Sequence, residues 1–109
     1  SLVSPMQQSN IGEWEVRLQQ GDFYSINYHA KLHTALNMQQ FFALAALCGN
    51  GLWRLKGILH TEQGWKSLNC SRNSQTIQPA APIIHSKMVL LCQAEDLQHM
   101  QQAIFNILS

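Results

Sequence analysis

At 109 residues the chain is the length of a single domain, and a domain of this size buries roughly two-thirds of its unfolded surface, enough for a self-standing core. Hydrophobic residues make up 46%, so it is expected to fold. Seven Lys+Arg against six Asp+Glu leave a formal charge of +1, too balanced to point to nucleic acid or an anionic membrane. Charged residues are only 12% of the chain, about half the roughly 25% usual in globular domains, and such a surface is prone to self-association.

Residues 1–10 are polar, aperiodic and contain one proline, and read as a tail or linker ahead of a domain over 11–109. From Glu13 to Leu18 apolar and polar residues alternate, with Trp14, Val16 and Leu18 on one face. Gln19-Gln20-Gly21-Asp22 is a turn. Alternation resumes from Phe23 to His33, with Tyr24, Ile26, Tyr28, Ala30 and Leu32 on one side. Two half-buried strands around a Gly-Asp turn predict an antiparallel hairpin.

The period then changes. Asn37 is a good helix N-cap, Gln40 stands at the capping-box position, and Met38, Phe41, Phe42, Ala45 and Cys48 recur at helical spacing before Gly49 and Gly51. A helix is expected over 37–48. A strand follows over 52–60, with Trp53, Leu55, Gly57 and Leu59 on one face and Leu52, Arg54, Lys56, Ile58 and His60 on the other. Cations on an otherwise apolar strand require that their face meet water or a partner. Both readings stand for Arg54 and Lys56, a solvated face or a contact surface. Gly57, in mid-strand, marks a bulge or a close approach by another backbone.

A turn at 61–64 leads into a strand from Trp65 to Ser71, then a short edge strand over 75–78 that Pro79 and Pro82 end. Residues 87–93 contain a continuous apolar run, expected to be a central strand with both faces covered. A last helix is expected over 95–108, with Glu95 and Asp96 favourably placed in its first turn. The order predicts an α+β fold, an antiparallel sheet of five or six strands with two helices packed on one face.

No P-loop, dinucleotide-binding, serine-hydrolase, zinc-protease or zinc-deaminase motif occurs. Glu13/Glu15 and Glu95/Asp96 are the neighbouring carboxylates; the first pair faces solvent and the second caps a helix, so neither forms a general acid–base pair. Cys48, Cys70 and Cys92 are odd in number and widely spaced, and read as free thiols in a reducing compartment. His29 and His33 are the candidate metal ligands, but four residues of strand span about 13 Å, too far for one ion unless the chain bends between them. Surface or hydrogen-bonded histidines are the competing reading. Trp14, Trp53 and Trp65 lack the basic interleaving of a base-stacking platform. No apolar run is long enough to span a bilayer and no signal-peptide profile is present, so a cytoplasmic location is expected.

The run Gly51-Leu52-Trp53-Arg54-Leu55-Lys56-Gly57-Ile58-Leu59, followed by Thr61, Gly64-Trp65 and Asn69, resembles the R-x-K-G … G-W … N core of the C-terminal domain of the CobW family. The resemblance covers about residues 24–108. That family comprises P-loop GTPases of metal trafficking and cobalamin biosynthesis. It implies a non-catalytic accessory domain that offers a surface to a covalently linked GTPase domain or to a metalloprotein client. Arg54, Lys56 and Gly57 carry over as motif positions; Arg54 and Lys56 are the candidate contact residues from the reading of their strand face, and Gly57 and Trp65 the structural positions. GTP, Mg and zinc or cobalt are implied for the GTPase domain, not for this chain, and no catalytic residue carries over. The alternative is a self-contained small-ligand or metal-binding module built around His29 and His33.

Overall fold

The computed structural model describes residues 11–31 and 35–109. Its elements are β1 (Gly12–Leu18), β2 (Phe23–Ala30), α1 (Met38–Ala45), β3 (Leu52–Thr61), β4 (Gly64–Ser71), β5 (Gln75–Pro79), β6 (Lys87–Gln93), a 3-10 turn (Ala94–Asp96) and α2 (Leu97–Leu108). The strands form one sheet in the order β1-β2-β6-β3-β4-β5, with antiparallel neighbours throughout. This is the α+β architecture expected from the element order. The last strand, β6, inserts between β2 and β3, which follow one another in the sequence with only α1 between them.

Alternation in β1 and β2 holds at most positions, with two corrections: Leu18, expected inward, is 58% exposed at the end of β1, and Ser25, on the outward phase of β2, is buried, its hydroxyl accepting from Gln19 and Asn27. Trp14 and Tyr28 are directly opposite in the register and their rings lie 4.6 Å apart on the buried side, while Glu13, Glu15 and His29 are exposed. Gly21 takes φ 64° in the connecting turn, a conformation costly for residues with a Cβ. The Asn37 capping box forms in both directions, with Asn37 Oδ1 accepting from the Gln40 amide and Gln40 Oε1 accepting from the Asn37 amide. The core lies between the sheet and the helices. Ile26, Leu55, Leu59, Leu68, Met88 and Leu90 come from the strands, and Phe41, Leu44, Met100 and Ile104 from α1 and α2. Each such side chain contributes about 1.5–3 kcal/mol when fully buried.

Several expectations need correction. Helix α1 ends at Ala45 rather than 48, because Leu47 and Cys48 donate to Leu44 and Ala45 in tighter i to i−3 turns. Gly49 (φ 89°) and Gly51 (φ 116°) then reverse the chain. Phe42 is 51% exposed, and Leu44 is buried instead. Glu95 and Asp96 occupy the 3-10 turn, so α2 starts at Leu97. Strand β5 continues through Pro79, opposite Lys66, where an outer strand tolerates the missing donor.

Two corrections bear on the site. Strand β6 is central, but only one of its faces is covered: Met88, Leu90 and Cys92 are buried while Lys87 and Val89 are exposed. In β3, Leu52 is buried and Trp53 is 37% exposed, the reverse of strict alternation. Leu52 and Leu55 are both buried although three residues apart, with Trp53 and Arg54 exposed between them. Two consecutive outward residues are the mark of a β-bulge. From Arg54 onward the expected faces hold.

The β3–β4 connection shows why glycine stands at position 64. Thr61 and Gly64 are paired, neither Glu62 nor Gln63 has positive φ, and Gly64 takes φ 96°. That combination is a type I turn closed by a glycine bulge. The Thr61 hydroxyl donates to the Gly64 carbonyl at 2.6 Å and accepts from the Gln63 amide.

Candidate functional site

Both helices pack on one side of the sheet, so the other side is uncovered by any described element. The strand registers set out its side chains in rows. One half-row runs Glu15–Asn27–Val89 across β1, β2 and β6, and another Lys56–Asn69–Thr76 across β3, β4 and β5. The row beside it carries Glu13–His29–Lys87 and Ile58–Ser67–Gln78. All of these except Glu13 and Glu15 meet in a shallow groove of about 600 Å³ over the middle of the sheet, lined by Asn27, His29, Lys56, Asn69, Lys87 and Val89 among others. A second concavity adjoins it, with Arg17, Arg54, Lys56 and Leu91 in its wall.

The chemistry of this face is uneven. Val89 is 47% exposed, and Ile58 and Leu91 are half-buried beside it. Around them stand three cations, Arg54, Lys56 and Lys87, none with an ion-pair partner among the described residues. The acids lie at the β1 edge, where Glu15 pairs with Arg17. The centre of the face is therefore apolar and positive, rimmed by amides and hydroxyls.

Arg54 and Lys56 both stand on this uncovered face. Gly57 lies beneath it: a Cβ placed there would stand 2.7 Å from Met88 Cβ and 2.9 Å from the Lys87 carbonyl oxygen. Only glycine lets β3 and β6 approach so closely. Trp65 is half-buried and stacks on His60, its directly paired residue, at 4.9 Å and 14°. Trp53 meets the edge of Phe23 at 5.3 Å, and the Arg72 guanidinium lies 4.3 Å from the centre of its ring.

The described histidines lie in separate places. His29 is on the uncovered face of β2, His60 is held against Trp65, His85 lies before β6, and His99 is exposed on α2. His33 and Leu32 lie outside the described residues. Among the described residues no three His, Cys, Asp or Glu side chains are grouped to hold a metal ion. From the spacing of His29 and His33 in the sequence, about 13 Å along a strand, we expect zinc to bind the chain weakly, with less than one equivalent taken up at micromolar concentration against a chromophoric chelator. A tight stoichiometric site lost in the His29→Ala, His33→Ala double variant would reverse that expectation.

Sequence reasoning did not find Lys87, Val89, Asn69, Thr76 and Gln78 as neighbours of Lys56. Each lies on the outward phase of its own strand, which alternation shows. Lys87 and Val89 reach Lys56 because β6 enters the sheet beside β3, which alternation does not show; Asn69, Thr76 and Gln78 reach it through the β3–β4–β5 pairings, whose registers alternation alone does not set.

No helix among the described residues is long and apolar enough to cross a membrane. Compared with protein-family models, curated proteins and solved structures, the chain matches none.

Proposed function

We propose that the chain is a non-catalytic docking module that uses the uncovered sheet face, as the accessory domain of a CobW-like GTPase. The observation that carries the docking part is Val89, on a central strand, standing 47% exposed among cations that have no ion-pair partner among the described residues. An interior strand with one apolar face open is a surface suited to being covered. Charge complementarity then sets the partner: a protein surface with an apolar centre and acidic surroundings. The assignment of that partner as a covalently linked GTPase domain rests on the R-x-K-G resemblance at Arg54, Lys56 and Gly57.

Two measurements test the proposal separately. The reading frame that contains this chain should encode a P-loop and a Cys-x-Cys-Cys ahead of it, and a frame lacking both removes the GTPase assignment. Docking is tested by calorimetry between the chain and the rest of its protein. Arg54→Glu with Lys56→Glu should leave the chain folded and raise Kd at least about tenfold, roughly 1.4 kcal/mol. An unchanged Kd would mean the face is merely solvated.

A second reading has one observation in its favour. The central groove, at about 600 Å³, falls within the roughly 300–1,000 Å³ of small-molecule sites, and its amides and hydroxyls could orient a polar ligand. Ligand-induced NMR shifts confined to Asn27, Asn69, Thr76 and Gln78, without any effect of the Arg54/Lys56 variant on partner binding, would favour it.

A further inference from the structure

Cys48 and Cys70 are separated by the whole of β3 in sequence, yet their Sγ atoms lie 2.9 Å apart. Cys48 sits in the turn that follows α1, where it forms a bridge with Leu52. Cys70 is on β4, paired with Leu55 and facing the helix layer. A disulfide requires about 2.05 Å between the sulfurs, so closure asks for less than about 1 Å of movement from an arrangement that already points the two thiols at each other. The two residues also differ in reach. Cys48 is half-buried, whereas Cys70 is 1% exposed. Cys92, fully buried on β6, has no such partner.

We propose that Cys48 and Cys70 are a disulfide-forming pair, closed by exchange with a small oxidised disulfide such as oxidised glutathione. Cys48, the thiol within reach of solvent, attacks first as its thiolate. Its sulfur bonds to one glutathione sulfur, the glutathione S–S bond breaks, and one glutathione leaves as a thiolate that takes up a proton. Cys70 then attacks Cys48 Sγ, the mixed disulfide breaks, and the Cys70 proton goes with the second glutathione. Two protein thiols lose two electrons and two protons, and one disulfide is reduced to two glutathione thiols. Burial, and next the hydrogen bond with Cys48, push the Cys70 thiol up to about 12. The second step is therefore the slow one, and faster at higher pH.

The bond would tie the turn after α1 to β4 across β3, constraining the unfolded chain between 48 and 70. The test treats the chain with oxidised glutathione, then alkylates it after denaturation and maps its peptides. The expected product has a 48–70 cross-link and Cys92 as its one alkylated cysteine. Its Tm should rise by on the order of 10 °C, and dithiothreitol should return it. Cys70→Ser should stop at a stable glutathione adduct on Cys48. Three alkylated cysteines, a persistent adduct on Cys48 of the unsubstituted chain, or a cross-link through Cys92 or between chains would each overturn the pairing.

Discussion

Gly57→Val should lower the Tm of this domain by on the order of 10 °C, while Arg54→Ala with Lys56→Ala, in the same strand, should hardly move it. The difference follows from what each side chain meets. A Cβ at Gly57 presses on Met88 Cβ and on the backbone of β6 at the Lys87 carbonyl, and backbone cannot turn aside as a flexible side chain can. Overpacking typically costs about 1–3 kcal/mol, and valine adds two methyls to the clash, so the upper end is expected. That is a large share of the roughly 5–15 kcal/mol holding a small domain folded. Arg54 and Lys56 are exposed and have no ion-pair partner among the described residues, and such surface changes usually stay within about 0.5 kcal/mol. Thermal unfolding of the three proteins decides it. A stable valine variant beside an unfolded alanine pair would mean that the two faces of β3 have been assigned the wrong way round.

The same strand shows how far a sequence carries. Alternation placed Arg54, Lys56, Gly57 and Leu59 correctly because the side-chain period of a strand is a local property. It failed at Leu52 and Trp53 because an irregularity in the strand interrupts the period. The Asn37 cap was legible since a capping box is complete within four residues. Strand β6 was legible as a strand but not as a half-open one: Met88-Val89-Leu90-Leu91-Cys92 looks alike whether its second face meets a helix or nothing. What hid the site was topology. Asn27, Lys56 and Lys87 share a groove only because β6 pairs with β2 and β3, and the contact between Cys48 and Cys70 depends on how the turn after α1 settles over β4. Neither relation leaves a trace in local pattern.

Raising the pH above about 9 should destabilise the fold steeply, through three buried groups that the native state keeps protonated. Burial pushes the Tyr28 phenol from 10.0 up to about 12, and its hydroxyl donates to the Ile11 carbonyl at 2.8 Å. Burial, and then Cys48, raise Cys70 from 9.0 to about 12. Burial, and then the charge of Asp96, raise Cys92 from 9.0 to about 11. The direction follows from linkage. Each folded pKa lies above its unfolded value, so the unfolded chain releases protons first as the pH rises, and the contribution is fully present below about pH 9. It is lost progressively as the pH climbs toward the folded values near 11 and 12. Each group contributes up to about 1.4 kcal/mol per pH unit inside its own window, which makes Tyr28 alone worth on the order of 3 kcal/mol by pH 12. Urea unfolding in the presence of a reductant should therefore show a midpoint that is level from pH 6 to about 8.5 and drops sharply above about 9.5. Tyr28→Phe separates the phenol from the thiols. At neutral pH it should cost about 1 kcal/mol for the lost hydrogen bond to Ile11, and above about pH 10 its stability should fall less steeply than that of the unsubstituted chain. Parallel slopes for the two proteins between pH 10 and 11.5 would show that the phenol ionises as readily in the fold as out of it, contrary to its burial against Trp14.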